Sequence, residues 1–239
     1  MLLMLQNMIN FKYSGRDNLD VMSLATNYND SIYKWLSSNI SSDSVVLDFG
    51  SGQGEFFNRF NAYYSSVYAV EPDINMHNFF PSDCIFSSIE KVNRKFDLIY
   101  SVNVLEHIED DALVINKFKK YLLTKDGVVK IFVPARQELY SDMDAKVGHY
   151  RRYSKKQIER LFIESGYKVK SCRYFDFLGY FATAIYKILG KNGDINPKSL
   201  IFYDKYIFPI SLLFDKLFSN FIGKNIVLEV TLKKHNDKQ

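Results

Sequence analysis

The segment VVLDFGSGQGEF, residues 45–56, restricts the fold more than any other part of the sequence. Its apolar start is typical of a buried strand, and glycines at positions 50, 52 and 54 follow directly. A glycine-rich turn between a strand and a helix brings backbone N–H groups and the positive helix end close to a ligand. The segment therefore predicts a strand–loop–helix unit with a ligand at the carboxyl end of a parallel strand.

The glycine spacing is poorly suited to a dinucleotide. The dinucleotide fingerprint has a third glycine where this chain has Glu55, so a pyrophosphate would be badly held. Asp48, at the strand end, can instead pair with an amino group. Glu71 ends the next strand about twenty residues after the loop, where a carboxylate can accept hydrogen bonds from both ribose hydroxyls. A ribose and an amino acid end without a phosphate together describe S-adenosylmethionine.

Apolar runs alternate with amphipathic segments after position 44, which is typical of a parallel sheet covered by helices on both faces. Seven strands are predicted, at Val45–Phe49, Ser66–Val70, Cys84–Phe86, Phe96–Val102, Gly127–Val133, Lys168–Arg173 and Ile226–Leu232. Helices are predicted over Glu55–Ala62, from near Ile74, over Glu109–Leu123 and from Ser154 to Gly166. The predicted fold is α/β, a Rossmann-like, mostly parallel seven-stranded sheet with an antiparallel last strand and a helical cap.

The 239 residues are expected to form a single domain. We divide it into an N-terminal helical segment (1–42), a cofactor-binding core (43–174), an aromatic helical insertion (175–224) and the final strand (225–233). The insertion is rich in Phe, Tyr, Ile and Leu. Three roles stay open for it: a cap packed over the active site, a dimer face, or a surface lying against a membrane. The protein is accordingly expected to be a monomer or a homodimer.

The composition restricts the partners and the cellular compartment that we expect for the protein. A net charge of +4 suits an anionic partner but is low for a nucleic-acid binder, so no nucleic acid is expected. Cys84 and Cys172 lack metal-ligand spacing and are predicted to be reduced thiols, and no metal site is predicted. The start of the sequence has no signal-peptide pattern, and no apolar run reaches ~18 residues. We expect a cytoplasmic protein, with peripheral contact to the inner face of a membrane as an alternative.

Several motifs resemble those of the class I S-adenosylmethionine-dependent methyltransferases. VVLDFGSGQGEF resembles their first motif, VYAVEPD their second, and FDLIYSVNVLEHIED the motif at their fourth strand. NYNDSIYKWL, the segment from VPARQELY to IESGY, and the closing GKNIVLEV resemble a type 11/12-like group associated with bacterial glycosyltransferases. The resemblance implies a methyltransferase with a small-molecule or saccharide acceptor.

Carried over by position, the resemblance also assigns cofactor contacts. It assigns the methionine end to Asp48, Gly50, Ser51 and Gly52, the ribose to Glu71, and the adenine side to Pro72, Asp73, Ser88 and Ile89. Asn103 is expected under the sulfonium, and Tyr28 over the carboxylate end. Ser88 replaces the commoner Asp of the family, so adenine N6 is expected to be held more weakly or by backbone groups.

Two histidines are candidates for proton transfer. His149, in GHYRRY, follows the fifth strand in the region that builds the substrate wall of this fold, and a neutral imidazole is a suitable general base. We predict His149 as the catalytic residue, with a purely structural bond to the backbone as the alternative. His107, in LEHIED, is predicted to be structural.

Basic residues surround His149 in the sequence. Arg151 and Arg152 are predicted to bind substrate, because a guanidinium can clamp a carboxylate or phosphate bidentately. An ion pair with Asp142 or Asp144 is the alternative for either arginine. Lys155 and Lys156 are predicted to be solvated.

The function predicted from the sequence is methyl transfer from S-adenosylmethionine to a small molecule, glycan or lipid-linked acceptor, with O-methylation favoured over N-methylation. A cofactor-binding partner subunit without catalysis is one alternative. An RNA methyltransferase is another, weakened by the modest charge and by NVLE in place of an N-P-P-[YF] motif after the fourth strand.

Overall fold

A computed structural model describes residues 20–119, 123–189 and 196–233. The strands are β1 Val45–Phe49, β2 Ser66–Val70, β3 Ile85–Phe86, β4 Phe96–Val102, β5 Leu123–Pro134, β6 Tyr167–Phe175 and β7 Asn225–Leu232. They form one sheet in the order β3–β2–β1–β4–β5–β7–β6. β1 to β5 run parallel, and β7 is antiparallel to both of its neighbours. The predicted Rossmann-like mixed sheet with an antiparallel last strand is confirmed.

Helices cover both faces of the sheet. The α-helices are α1 Thr26–Ser37, α2 Glu55–Asn61, α3 Asp111–Lys117, α4 Asp142–Lys146, α5 Lys155–Glu164, α6 Phe177–Leu189, α7 Pro197–Phe202 and α8 Phe208–Phe218. Short 3-10 helices span Ile74–Phe79, Ile89–Lys91, Leu105–His107 and Gln137–Leu139, and a π-helical turn spans Tyr203–Ile207. Two buried apolar clusters pack against the sheet.

Two predicted helices differ from the structure. The segment from Ile74 is a single 3-10 helix rather than an α-helix, with Asp73 as its capping residue. The helix predicted over Glu109–Leu123 begins at Asp111, because Asp110 caps its N-terminus. It continues from α3 into a π-helical turn at residues 118–119, and Leu123 already pairs in β5. The predicted fifth strand, Gly127–Val133, is correspondingly too short, and positions 120–122 lie outside the described residues.

The N-terminal helix α1 depends on a distant residue for its cap. Ala25 at its N-cap position has no side chain that can accept a hydrogen bond. Asp204, in the π-helical turn, instead accepts the N–H groups of Asn27 (3.0 Å) and Tyr28 (2.9 Å). These bonds fasten α1 to the aromatic segment across the carboxyl edge of the sheet. Of the predicted N-terminal helical segment, positions 1–19 lie outside the described residues.

Removing the capping carboxylate of Asp204 is expected to destabilise the protein. Asp204 is 4% exposed, so Asp204→Ala leaves two orphaned N–H groups where water has little access. We expect a loss of about 2–3 kcal/mol in the free energy of unfolding, measured by urea denaturation. Asp204→Asn keeps an acceptor oxygen and serves as the matched control, with a smaller loss. Equal stability of the two variants would show that the hydrogen bonds to Asp204 do not hold α1.

The helices α6 to α8 with the π-helical turn form a unit that we call the cap. Asp215 accepts the N–H groups of Asp176 and Phe177, both at 2.9 Å, and thereby fixes the start of α6. Asp176 is fully buried and accepts hydrogen bonds from Tyr203, Ser211 and the N–H of residue 179. The cap is therefore a packed part of the domain. Within the described residues, no helix combines the length and apolar character needed to cross a membrane.

Candidate active site

A cavity of about 1960 Å³ opens at the carboxyl edge of the sheet. Ligand pockets usually measure about 300–1,000 Å³, so this cavity has room for two small molecules. Its walls come from the glycine loop after β1, the ends of β2 and β4, the helix α1, the loop after α4, and the cap. The position matches the general rule for ligand sites in open α/β sheets.

The glycine loop has a backbone that larger residues adopt only with strain. Gly50, Gly52 and Gly54 have φ values of 80°, 53° and 84°. The N–H of Gly50 donates to the carbonyl of Val70 at 2.8 Å, which ties the loop to β2. A Cβ on Gly50 would lie 2.4 Å from a methyl carbon of Val104. The first glycine is thus required both by its conformation and by close packing against the segment after β4.

Glu71 connects this loop to the end of β2. Its Oε2 accepts the N–H of Gly52 at 2.8 Å, and its Oε1 accepts the N–H of Asp73 at 2.9 Å. Burial raises the pKa of Glu71, against these two hydrogen bonds. Each carboxylate oxygen keeps a further lone pair, and Glu71 lines the cavity, so the group can hold the loop and still accept from a ligand.

Asp48 lies at the end of β1 and is 3% exposed. Burial raises the pKa of Asp48 to about 8, and the nearby carboxylate of Glu71 adds to the shift. Asp48 shares a hydrogen bond with Tyr100, and no ion pair joins it to a cationic side chain among the described residues, so this buried carboxyl of the cavity wall is suited to receive a positively charged ligand. The amino group and the sulfonium of S-adenosylmethionine provide such a charge, so the residues at the end of β1 fit the cofactor.

The other predicted cofactor contacts divide into two groups. Tyr28, Ser51, Pro72, Ser88 and Asn103 all line the cavity. The hydroxyl of Ser51 is buried and has no partner among the described residues, which leaves it able to bond a ligand.

The remaining adenine-side predictions, Asp73 and Ile89, differ. Asp73 is completely buried and caps the 3-10 helix that begins at Ile74, and it does not line the cavity. The side chain of Ile89 packs in the core with Val70 and Val92 rather than lining the cavity. The 3-10 turn after Ser88 rotates it inward. The predicted adenine contact of Ile89 is therefore not what the structure shows.

His149 lies on the cavity wall with a carboxylate behind it. Its Nδ1 is 2.7 Å from Oδ1 of Asp144, and 11% of its side chain is exposed. Burial alone would raise the pKa of Asp144, but hydrogen bonds from His149 and Arg152 outweigh it and lower this pKa to about 2. A permanently charged carboxylate at Nδ1 keeps the proton on that nitrogen, which leaves Nε2 as the acceptor.

The two arginines next to His149 are held by carboxylates. Arg152 donates to both oxygens of Asp144, at 2.8 and 3.0 Å, and is 5% exposed. The ion pair named as the alternative is the arrangement found. Arg152 also lines the cavity, so its predicted substrate contact stays a prediction. Arg151 donates to Asp111 at 3.0 Å and does not line the cavity, so its predicted substrate contact is not supported. Its partner is neither Asp142 nor Asp144, because the side chain turns toward α3.

Glu106 is a functional candidate that sequence reasoning did not identify. It is fully buried, and neither of its oxygens has a hydrogen-bond partner among the described residues. Burial raises the pKa of Glu106 to about 8, whereas burial and then the neighbouring His149 lower the pKa of His107 to about 4. Both lie in the 3-10 turn after β4, at the same sheet edge as the glycine loop. The position just after a strand was the one sequence feature that could have identified Glu106 as a functional residue.

Comparison with known proteins identifies the family of the chain. A family model described as a methyltransferase domain matches residues 24–171. The search of curated proteins gave no match. Among solved structures, the chain is similar to a complex between the Haloferax volcanii Trm112 methyltransferase activator and a putative methyltransferase. The TM-score is 0.61 and the identity 9%, over 94% of this chain and 100% of that one.

Two further structures are similar at comparable levels. Coclaurine N-methyltransferase bound to N-methylheliamine and S-adenosylhomocysteine has a TM-score of 0.58 and 13% identity, over 85% of this chain and 70% of that one. A Burkholderia thailandensis 1,6-didemethyltoxoflavin-N1-methyltransferase has a TM-score of 0.55 and 13% identity, over 86% and 78%. At these identities the likeness shows the shared fold. The family match, the sheet order and the glycine loop with its two carboxylates lead to one conclusion: the chain belongs to the methyltransferase domain family and is a class I S-adenosylmethionine-dependent methyltransferase.

Proposed function

We propose that the protein methylates a hydroxyl oxygen of a small-molecule or saccharide acceptor carried on an apolar, lipid-like group. The observation that carries this proposal is the single cavity that extends from the glycine loop, past His149, to the aromatic cap. One end suits a cationic cofactor and the other an apolar acceptor, with the Asp144–His149 pair between them.

The cofactor supplies a methyl group activated on a sulfonium, and the residues described above would hold it. Asp48 would pair with its positive end, Glu71 with the ribose, and Ser51 with the methionine end. Tyr28 and Asn103 would cover the same end. Because methyl transfer needs alignment and exclusion of water, the main tasks of the protein are orientation and enclosure.

The acceptor end is supported by the character of the cap. Its cavity-facing residues include Thr183, Tyr186, Leu200 and Tyr203. On its outside, the cap and its C-terminal flank carry thirteen of the twenty large hydrophobic side chains that are exposed in the described residues, all within 181–221. Lys198, Lys205 and Lys216 lie among them and are exposed. An apolar surface with interspersed lysines suits the inner face of a membrane, and we propose peripheral contact there from a cytoplasmic location.

His149 is proposed as the group that accepts the acceptor proton. Asp144 orients its imidazole, and Nε2 is the nitrogen left to act as a base. An alcohol needs such a base, because a protonated oxygen is a poor nucleophile, and this favours O-methylation. An amine acceptor that arrives uncharged would need no base, so N-methylation predicts little effect of a change at His149.

Transfer of labelled methyl from S-adenosylmethionine to matched acceptors tests the proposal. We would compare a prenyl-linked saccharide in anionic vesicles, the same saccharide without its tail, and an amine analogue of the tailed form. The tailed hydroxyl acceptor is expected to be methylated most rapidly. Leu217→Asp should slow this reaction, while Leu113→Asp, on an exposed residue far from the cap, should not. Preference for the amine or the tail-free saccharide would overturn the acceptor assignment.

Cofactor affinity is expected to rise with pH. In the free protein Asp48 holds a proton below its pKa of about 8, and a cationic ligand binds the ionised form better. Between pH 5.5 and 7.5 the affinity should therefore increase by about tenfold or more, measured by calorimetry. Asp48→Asn should bind weakly with a much flatter pH profile. An unchanged slope in that variant would assign the titration to another group.

A further inference from the structure

Three potential metal ligands converge on the cavity wall. One ligand atom each of Glu106, His107 and His149 can be chosen so that all three lie within 4.8 Å of one another. Nε2 of His149 is 3.8 Å from Oε1 of Glu106, and the two imidazole rings are 4.5 Å apart in an edge-to-face arrangement. In a tetrahedral site with bonds of about 2.0–2.1 Å, ligand atoms are about 3.3 Å apart, so small side-chain shifts would close the cluster around an ion.

The surroundings of these groups resemble a metal site more than an accidental cluster. Metal-bound histidines usually donate their second ring nitrogen to a carboxylate or a backbone carbonyl. His149 has Asp144 at Nδ1, and that carboxylate is itself fixed by Arg152. His107 is hydrogen-bonded to the backbone of Val147 and Gly148.

The burial of Glu106 is separate evidence for a bound cation. It is fully buried, and both of its oxygens are without hydrogen-bond partners in the described part of the chain. A carboxyl group in such surroundings costs several kcal/mol unless something satisfies it. A cation coordinated between the three side chains would do so.

We propose that Glu106, His107 and His149 bind a divalent first-row transition ion at the acceptor end of the cavity. Two imidazoles and one carboxylate form a set found for zinc and for non-haem iron, whereas magnesium and calcium prefer oxygen ligands throughout. His107 and His149 both line the cavity, so the remaining coordination position faces the acceptor space.

The ion would deepen the proposed function, and this part of the inference rests on that function. An acceptor hydroxyl would take the open position, which orients its oxygen and lowers its pKa. With the ion bound His149 is a ligand, so the base role proposed for it above applies only to the metal-free protein, and in the loaded enzyme the acceptor proton passes to solvent. This metal site was not predictable from the sequence, because its ligands come from two segments about forty residues apart with no metal-binding spacing.

Metal binding is tested on the untagged full chain after removal of metal with a chelator. We would titrate zinc by calorimetry, with magnesium as the hard-ion comparison, and record the visible spectrum on adding cobalt. The wild-type protein should bind one zinc ion per chain, prefer it to magnesium, and show the visible bands of four- or five-coordinate cobalt. A sulfur-to-cobalt charge-transfer band would instead reveal binding at Cys84 or Cys172 and would count against the proposal.

Two ligand variants and one control complete the design. Glu106→Gln and His149→Asn should each weaken zinc binding about a hundredfold or more. Glu138→Gln, the same change on an exposed carboxylate outside the cluster, should bind as the wild type does. If Glu106→Gln does not fold, the wild-type cobalt spectrum and His149→Asn still decide. Wild-type protein that takes up no stoichiometric zinc, or ligand variants that bind it equally well, would overturn the proposal.

These readouts need no methyl transfer, so they separate the two proposals. Zinc binding without methylation of the hydroxyl acceptor would refute the proposed acceptor alone. Methylation that survives complete removal of metal, by a protein that binds no zinc, would refute the metal site alone.

Discussion

Gly50→Ala is expected to abolish useful cofactor binding. The new Cβ would lie 2.4 and 2.7 Å from the two methyl carbons of Val104, and the φ of 80° is itself unfavourable for alanine. The β-branched Val104 cannot move away freely, so the loop must shift from its position in the cavity wall. We expect the affinity for S-adenosylmethionine to fall about 100-fold or more, which is about 2.8 kcal/mol, measured by calorimetry.

Gly148→Ala is the matched control for this prediction. Gly148 has a nearly identical φ of 83°, but a Cβ there would meet no atom within 4 Å. It therefore carries only the conformational cost of about 1–2 kcal/mol in stability, without a clash. Gly50→Ala should lose more stability as well as affinity, because the clash adds to that cost. If the two variants bind the cofactor equally well, close packing at Gly50 does not shape the site.

Arg152→Met is expected to cause the largest loss of stability of a single side chain next to the site. The guanidinium forms two hydrogen bonds with Asp144, and this pair is almost completely removed from water. Removing one partner leaves the charge of Asp144 buried with fewer donors, which typically costs about 3–5 kcal/mol. We expect that decrease in the free energy of unfolding by urea denaturation. The orientation of His149 should loosen in parallel, because Asp144 fixes its ring.

The neighbouring residue provides the comparison. Arg151 also pairs with an aspartate, Asp111, but 33% of its side chain is exposed. Arg151→Met should therefore cost only about 1 kcal/mol. Comparable losses in the two variants would mean that burial does not decide the strength of these pairs. Retained stability in Arg152→Met, with reduced acceptor affinity, would support the substrate contact that the sequence suggested.

Most of the fold could be predicted because its signals are local. The strands at Val45–Phe49 and Phe96–Val102 are nearly continuous apolar runs, which are expected where both faces are buried, whereas the edge strand Tyr167–Phe175 alternates buried and exposed residues. The errors arise where local signals compete with tertiary ones. Asp110 caps α3 one residue later than the predicted start, and Leu123 extends β5 because it pairs with Phe96 of β4.

The site was predictable in part, for the same reason. The glycine loop and Glu71 are separated by about twenty residues in a recognisable pattern. The sequence left two roles open for Arg152, a substrate contact and an ion pair with Asp142 or Asp144, and only the folded structure establishes the pair with Asp144. Glu106 was not predicted as a functional residue, because acidic residues are common in turns and only the structure shows that this one is completely buried.

Calorimetric titration with S-adenosylmethionine and S-adenosylhomocysteine, with NAD as the comparison, shows whether the glycine loop holds the cofactor. Glu71 accepts the N–H groups of Gly52 and Asp73 and thereby holds the glycine loop at the end of β2. The loop should bind S-adenosylmethionine and S-adenosylhomocysteine with micromolar dissociation constants and should not bind NAD. Glu71→Ala should lose this binding while remaining folded. Binding of NAD alone, or unchanged affinity in Glu71→Ala, would contradict the placement of the cofactor on this loop.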